Sequence, residues 1–140
     1  MTETIHVDIV SAEGEIFSGR AKMVFLPAAE GEIGVAPRHA PLLALLKAGE
    51  VRVQPVDGAE ISFYVGGGAL EVQPSKVTVL ADTAARAHDL DEAAALAARQ
   101  RAQEALAGKI DKIGQAEALA ELARAAAQLR LIQKLRKVKG

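Results

Sequence analysis

Two pairs of carboxylates, Glu13/Glu15 and Glu30/Glu32, are the first residues whose type and spacing could do chemistry. A general acid–base pair needs one carboxyl in an apolar setting that raises its pKa. All four instead lie on polar turns beside Gly14 and Gly31. His6, His39 and His88 fall in unrelated contexts with no carboxylate at a metal-ligand spacing, and there is no Cys to supply a thiolate. Gly66-Gly67-Gly68 lacks the following helix and the Lys-Ser/Thr pair of a phosphate loop, so it reads as a flexible turn. A Ser-His-Asp arrangement has no nucleophile elbow to start from. The sequence offers no catalytic residue, no metal site and no cofactor.

What remains is charge. The first 87 residues carry 7 basic and 11 acidic side chains, whereas the last 32 carry 8 and 3. Arg130, Lys134, Arg136, Lys137 and Lys139 recur near the end with no acidic residue among them. An acidic partner and a plain solvated helix face both fit this run. Nucleic acid fits poorly, because no aromatic residue is there to stack on bases and the rest of the chain is acidic. The beginning, MTETIHVD, lacks the basic and apolar regions of a signal peptide. The longest apolar run, Ala40–Leu46, is far short of the roughly 20 residues that span a bilayer.

The elements that must position these groups change character once. Thr4–Val10 alternates, with Ile5, Val7 and Ile9 on one face. Further short runs follow at Ile16-Phe17, Lys22–Leu26 (ended by Pro27), Glu32–Ala36 and Leu42–Leu46, the last apolar enough to be covered on both faces. Ala48-Gly49 reads as a turn into Glu50–Val56, and Asp57-Gly58 as a hairpin turn into Glu60–Val65. Ala69–Val72 and Lys76–Leu80 form a last hairpin around Gln73-Pro74-Ser75. About ten short strands with Gly or Pro at most joints predict a β-sandwich or flattened barrel over residues 1–86.

Residues 87–140 predict an antiparallel helical hairpin. Asp89 with Glu92 resembles a capping box, Gly108 a stop and Asp111 a second cap. The second helix presents Leu119, Leu122, Ala126, Leu129 and Ile132 as its apolar stripe, widened by Leu131, Leu135 and Val138. Both helices are rich in Ala, which favours helix strongly but buries little apolar area. Strong helices with weak docking suit an element that undocks without melting, though a plain close-packed pair uses Ala as well.

Several stretches together carry a family likeness. GGGALEVQPSKVTVLAD at Gly66–Asp82, EGEIG at Glu30–Gly34, HAPLL at His39–Leu43, DIVSAEGEIFSG at Asp8–Gly19 and LAELARAAAQLR at Leu119–Arg130 resemble the epsilon subunit of bacterial rotary (F-type) ATP synthases. The resemblance implies a non-catalytic subunit of the central stalk, peripheral at the cytoplasmic face of the bacterial plasma membrane. Its sandwich would bind the gamma subunit and the c-subunit ring. Its hairpin would fold down, or extend towards the catalytic alpha and beta subunits and block ATP hydrolysis. By the same resemblance Glu32, Arg38 and His39 are ring contacts, although the family more often has Gly where Arg38 stands. Arg124, Arg130, Lys134, Arg136 and Lys137 would meet an acidic segment of the catalytic subunits. Members that bind ATP carry Leu/Ile-Asp-x-x-Arg-Ala at the first helix. Leu90-Asp91-Glu92-Ala93-Ala94-Ala95 has Ala94 for the Arg, which implies weak or no ATP binding and leaves Asp91 and Arg99 as the residual candidates. A free-standing protein-binding adaptor of the same architecture is the alternative.

Overall fold

Period-two alternation does what it should in the first strand, β1 (Ile5–Ser11): Ile5, Val7 and Ile9 are all fully buried. The computed structural model describes residues 3–139. Met1, Thr2 and Gly140 lie outside the described residues, as do the side chains of Val138 and Lys139, and with them the widening of the stripe by Val138 and the place of Lys139 in the basic run. After β1 come β2 (Gly14–Ala28), β3 (Gly31–Val35), β4 (Leu42–Pro55), β5 (Ile61–Gln73), β6 (Lys76–Ala81) and β7 (Ala84–Arg86). A 3₁₀ turn at Ala87–Asp89 precedes α1 (Glu92–Ala107) and α2 (Lys112–Lys139).

Among the described residues there are seven strands rather than about ten, because apparent breaks fall inside long strands. Ser18-Gly19 and Pro27 lie within β2, Ala48-Gly49 within β4, and the three glycines within β5. Pro27 is tolerated because the β2–β4 ladder skips from Phe25 to Ala28, so no N–H is wanted there. Gly66 pairs with Ala48 and Gly68 with both Leu46 and Ala81, so the glycines form a bend in a paired strand, not a flexible turn. Gly68 has φ +138°, and a Cβ there would stand 2.1 Å from the Leu80 carbonyl oxygen. Only glycine lets β5 approach β6 at that point.

The sheet closes on itself. β1 runs parallel to β6 and antiparallel to the first half of β2, and the order continues through β5, β4, β2 and β3. The inward faces meet in one core of Val, Ile and Leu side chains, with Phe63 the largest and Phe17 beside it at 5.3 Å between ring centroids. Val72 faces Val77 and Leu70 faces Val79 across the last hairpin. Leu42–Leu46 is not covered on both faces: Leu46 is buried, but Leu43 is 77% and Leu45 70% exposed. That stretch has the core on one side only.

In the helical unit Asp91, not Asp89, is the N-cap, its carboxylate accepting from Ala94 N at 3.2 Å. The 3₁₀ turn uses up Asp89 and delays the helix by two residues. Asp111 caps α2 through Gly114 N at 2.7 Å. On α2 the buried residues are Ala118, Ala125, Ala127, Leu129, Leu131 and Ile132. The expected stripe holds at Leu129 and Ile132, with Leu131 beside them, while in the first half Ala118 and Ala125 take the place of Leu119 and Ala126, and Leu119 is 49% exposed. On α1 the buried residues are Ala95 and Ala102, again seven apart. Small side chains at that spacing form the seam of an antiparallel pair, because they let two backbones come close. Arg101 with Glu121 (3.3 Å) and Arg136 with Glu92 cross the pair on the surface.

The chain separates into two compact units, Met1–Arg86 and Ala87–Gly140. We expect the first to fold by itself, since its sheet closes without the helices. A fragment ending at Ala87 should give a β-type circular dichroism spectrum and a cooperative urea transition; an unfolded fragment would refute the two-domain reading.

Candidate functional site

Period two also fixes what the outer face of the β1–β6–β5–β4 layer presents. Val10, Leu80, Ala69 and Leu45 stand in one cross-strand row, and Asp8, Thr78, Glu71 and Leu43 in the next. Leu43, Leu45 and Leu80 (54% exposed) make an apolar surface that the rest of the sandwich leaves open. An exposed group of large aliphatic residues on a closed sheet marks a binding surface.

A polar cluster borders it. His6 Nε2 lies 2.8 Å from Asp8 Oδ1 and 3.1 Å from Ser18 Oγ, Ser18 donates to the same Asp8 oxygen at 2.7 Å, and Lys76 Nζ is 3.1 Å from Oδ2. The Ser18 bond above all, with Lys76 and His6 opposing the cost of burial, holds the Asp8 carboxyl below its ordinary range. The residues are those of a hydrolytic triad but the connections are not. The hydroxyl donates to the carboxylate instead of to the imidazole, so nothing activates it as a nucleophile. Alternation along β1 puts His6 and Asp8 on one face, and the structure joins them. Ser18 and Lys76 come from neighbouring strands, which spacing within β1 does not reveal.

The three loop residues fall at the two ends of β3. Glu32 is a strand residue just past the β2–β3 turn, where Arg52 Nη2 meets its Oε1 at 3.1 Å. Arg38 and His39 lie in the loop after β3. His39 Nδ1 donates to the Ala40 carbonyl at 2.7 Å. Glu32 and Val35 alone are ~10 Å apart along the strand. Glu32 and the Arg38–His39 loop are therefore two sites at opposite ends of β3.

The hairpin separates its own candidates. Asp91 is engaged as the N-cap, and Arg99 stands two turns further on, ~12 Å along α1. Of the five candidate basic residues on α2, Arg130, Lys134 and Lys137 follow i, i+4, i+7 spacing and share an exposed face. Arg136 points elsewhere and pairs with Glu92, and Arg124 is half-buried at another angle. Among the described residues no group of three or more His, Cys, Asp and Glu could hold a metal, and no helix is long and apolar enough to cross a membrane.

Two family models match: the beta-sandwich domain of the ATP synthase Delta/Epsilon chain over residues 4–87, and the long alpha-helix domain of the same chain over residues 88–133. The chain belongs to the ATP synthase epsilon-chain family. An ATP synthase epsilon chain of Nitrosococcus oceani is 62% identical over 140 residues, covering 100% of both chains. One from Alkalilimnicola ehrlichii is 61% identical over 134 residues, with 96% of each covered. Among solved structures, a chain of the Euglena gracilis mitochondrial ATP synthase superposes with TM-score 0.68 at 17% identity, covering 98% of this chain and 82% of that one. A chain of the Tetrahymena thermophila enzyme's central stalk and c-ring gives 0.62 at 11%, covering 94% and 98%. At such low identity these two show the fold alone.

Where members of the family more often have Gly, this chain keeps the glycine conformation with another residue. Arg38 has φ 68°, and among the described residues it is the non-glycine with positive φ. Its N–H donates to the Pro74 carbonyl at 2.8 Å, and its guanidinium lies 2.6 Å from Glu3 Oε1, both side chains exposed. A left-handed residue with a Cβ costs ~1–2 kcal/mol, while an exposed ion pair returns ~0–1 kcal/mol. Arg38→Gly should therefore raise stability by about 1 kcal/mol, read as a higher urea midpoint with unchanged slope. A lower midpoint would mean that the Glu3 pair outweighs the backbone strain.

Proposed function

We propose that this chain is a non-catalytic, peripheral subunit of the central stalk of a bacterial F-type ATP synthase, at the cytoplasmic face of the membrane. It couples rotation to ATP synthesis through its sandwich and restrains ATP hydrolysis through its hairpin. The exposed leucine patch carries this reading. A sheet whose other face is filled by its own core has no internal use for Leu43, Leu45 and Leu80, and a rotor subunit needs a firm apolar seat on its neighbour. We assign that seat to the gamma subunit. The edge with Glu32 at one end of β3 and Arg38 and His39 at the other is assigned to the c-subunit ring. The charge of these loops suits a polar surface. The full-length likeness to epsilon chains weighs against a free-standing adaptor.

The seat is testable directly. Leu45→Asp with Leu80→Asp puts two carboxylates where apolar contact is needed, without disturbing the buried face. We expect binding to isolated gamma subunit to weaken at least about a hundredfold, since two desolvated anchors are worth roughly 1.5–3 kcal/mol each. Undiminished affinity in a folded double variant would place gamma elsewhere on the chain.

For the hairpin, the shared face of Arg130, Lys134 and Lys137 narrows the electrostatic contact with the alpha and beta subunits to three residues. Arg136 and Arg124 both lie off that face by helical spacing. Each exposed pair is worth ~0.2–1 kcal/mol and is screened over ~8–10 Å at physiological salt. Changing the three to Ala should raise ATP hydrolysis by the assembled enzyme, and added salt should raise it in the unchanged enzyme. Arg124→Ala should do little. Equal effects from Arg124→Ala and the triple change would contradict a one-face latch. Asp91 is committed as a cap and Ala94 brings no charge, so ATP is not assigned a site.

A further inference from the structure

Arg52 lies on β4 directly opposite Phe25 on β2, and Phe25 in turn opposite Gly34 on β3. The three strands are neighbours, so these residues form one row on the outer surface. The Arg52 guanidinium sits 4.3 Å above the centre of the Phe25 ring. From there it reaches across β2 to Glu32 on β3 at 3.1 Å, while its other terminal nitrogen is 3.6 Å from Glu60. Its side chain is only 24% exposed, against 55% for Glu32.

The local sequence provides for this arrangement. A Cβ at Gly34 would come within 2.8 Å of the Met23 methyl and 3.1 Å of the Phe25 ring, so a side chain there would push the ring from under the guanidinium. At Gly31, φ +141° gives the β2–β3 turn that starts the strand carrying Glu32. In EGEIG, then, one glycine makes the turn, the other makes room for the platform, and the acid between them is the group that is held.

We propose that Arg52 is a positioning residue for the ring-facing edge. Stacked on Phe25 and braced by Glu60, it fixes Glu32 by one carboxylate oxygen and ties the edge strand β3 to β4. The planar guanidinium suits this because it can lie flat on a ring while its nitrogens point to two different carboxylates; an ammonium cannot do both. The functional part rests on the reading that Glu32 meets the c-subunit ring. Torque applied there would pass through the Arg52 bridge into the sheet rather than bending a loose turn.

Two readouts on the full chain separate the proposal from that reading. The first is amide hydrogen exchange at residues 31–35. Arg52→Gln should speed it about tenfold, from loss of the ion pair and the cation–π contact together, with residues of β1 and β6 unaffected. Arg52→Lys should fall between, keeping the charge but losing the fork. It also serves as the test should the Gln variant fail to fold. Unchanged exchange at residues 31–35 in a folded variant would overturn the proposal.

The second readout is ATP-driven proton pumping against ATP hydrolysis in membrane vesicles carrying the reassembled enzyme. Arg52→Gln should lower the ratio in the unchanged background and have no further effect beside Glu32→Gln. Equal losses in both backgrounds would show that Arg52 does not act through Glu32. Faster exchange with unchanged pumping would uphold the positioning role and remove Glu32 from the ring contact.

Discussion

The closed sheet depends on one close approach, that of the β5 backbone at Gly68 to the Leu80 carbonyl. Nothing larger than hydrogen fits there. Because β5 can bend through that point, its first half pairs with β7 and its second half with β6. β6 then lies beside β1 with Val77 and Val79 inward and Leu80 outward. The turn between β5 and β6 in turn anchors two other segments. Pro74 accepts from Arg38 N, and Ser75 from His6 N at 3.0 Å. The strained loop after β3 and the start of β1 therefore both hang on a hairpin that a single Cβ would disrupt.

The helical unit is held by a different balance. Its buried residues are mostly alanines, with larger side chains only at Leu129, Leu131 and Ile132; the alanines remove little area from water at ~25 cal/mol per Å² but favour each helix strongly. The surface ion pairs across it, Arg101 with Glu121 and Arg136 with Glu92, add little in water. Two helices joined this way can part without melting, and the energy separating arrangements is then small enough for a partner to decide between them. That is the property an inhibitory arm needs. A leucine-filled seam would be worth several kcal/mol more and would resist release.

Local signals were read correctly where they act locally. The hairpin from Ala69 to Leu80, the Asp57-Gly58 turn, the stop at Gly108 and the cap at Asp111 all depend on residues within a few positions of each other. The strand count failed because a bend inside a paired strand and a turn between two strands use the same residues. Gly, Pro and Ser at Ser18-Gly19, Pro27, Ala48-Gly49 and Gly66–Gly68 mark both, and only the distant partner tells them apart. The cap moved from Asp89 to Asp91 because two acids stood two residues apart and a 3₁₀ turn consumed the first. The first half of the α2 stripe shifted by one position because nearly every candidate there was Ala or Leu, whereas Leu129 and Ile132 are buried as expected. The Arg52 platform was out of reach of spacing arguments, since its parts come from three strands and β3 carries only the acid and a glycine.

In the function proposed above, the two units divide the work, the sandwich holding the chain in the stalk and the hairpin restraining hydrolysis. The most direct measurement is ATP hydrolysis by the enzyme reassembled with the full chain or with residues 1–87 alone, at equal occupancy of the chain in the complex. With this division of labour the shortened chain should still assemble, and hydrolysis should rise severalfold. Equal hydrolysis with both chains, at full occupancy, would contradict it.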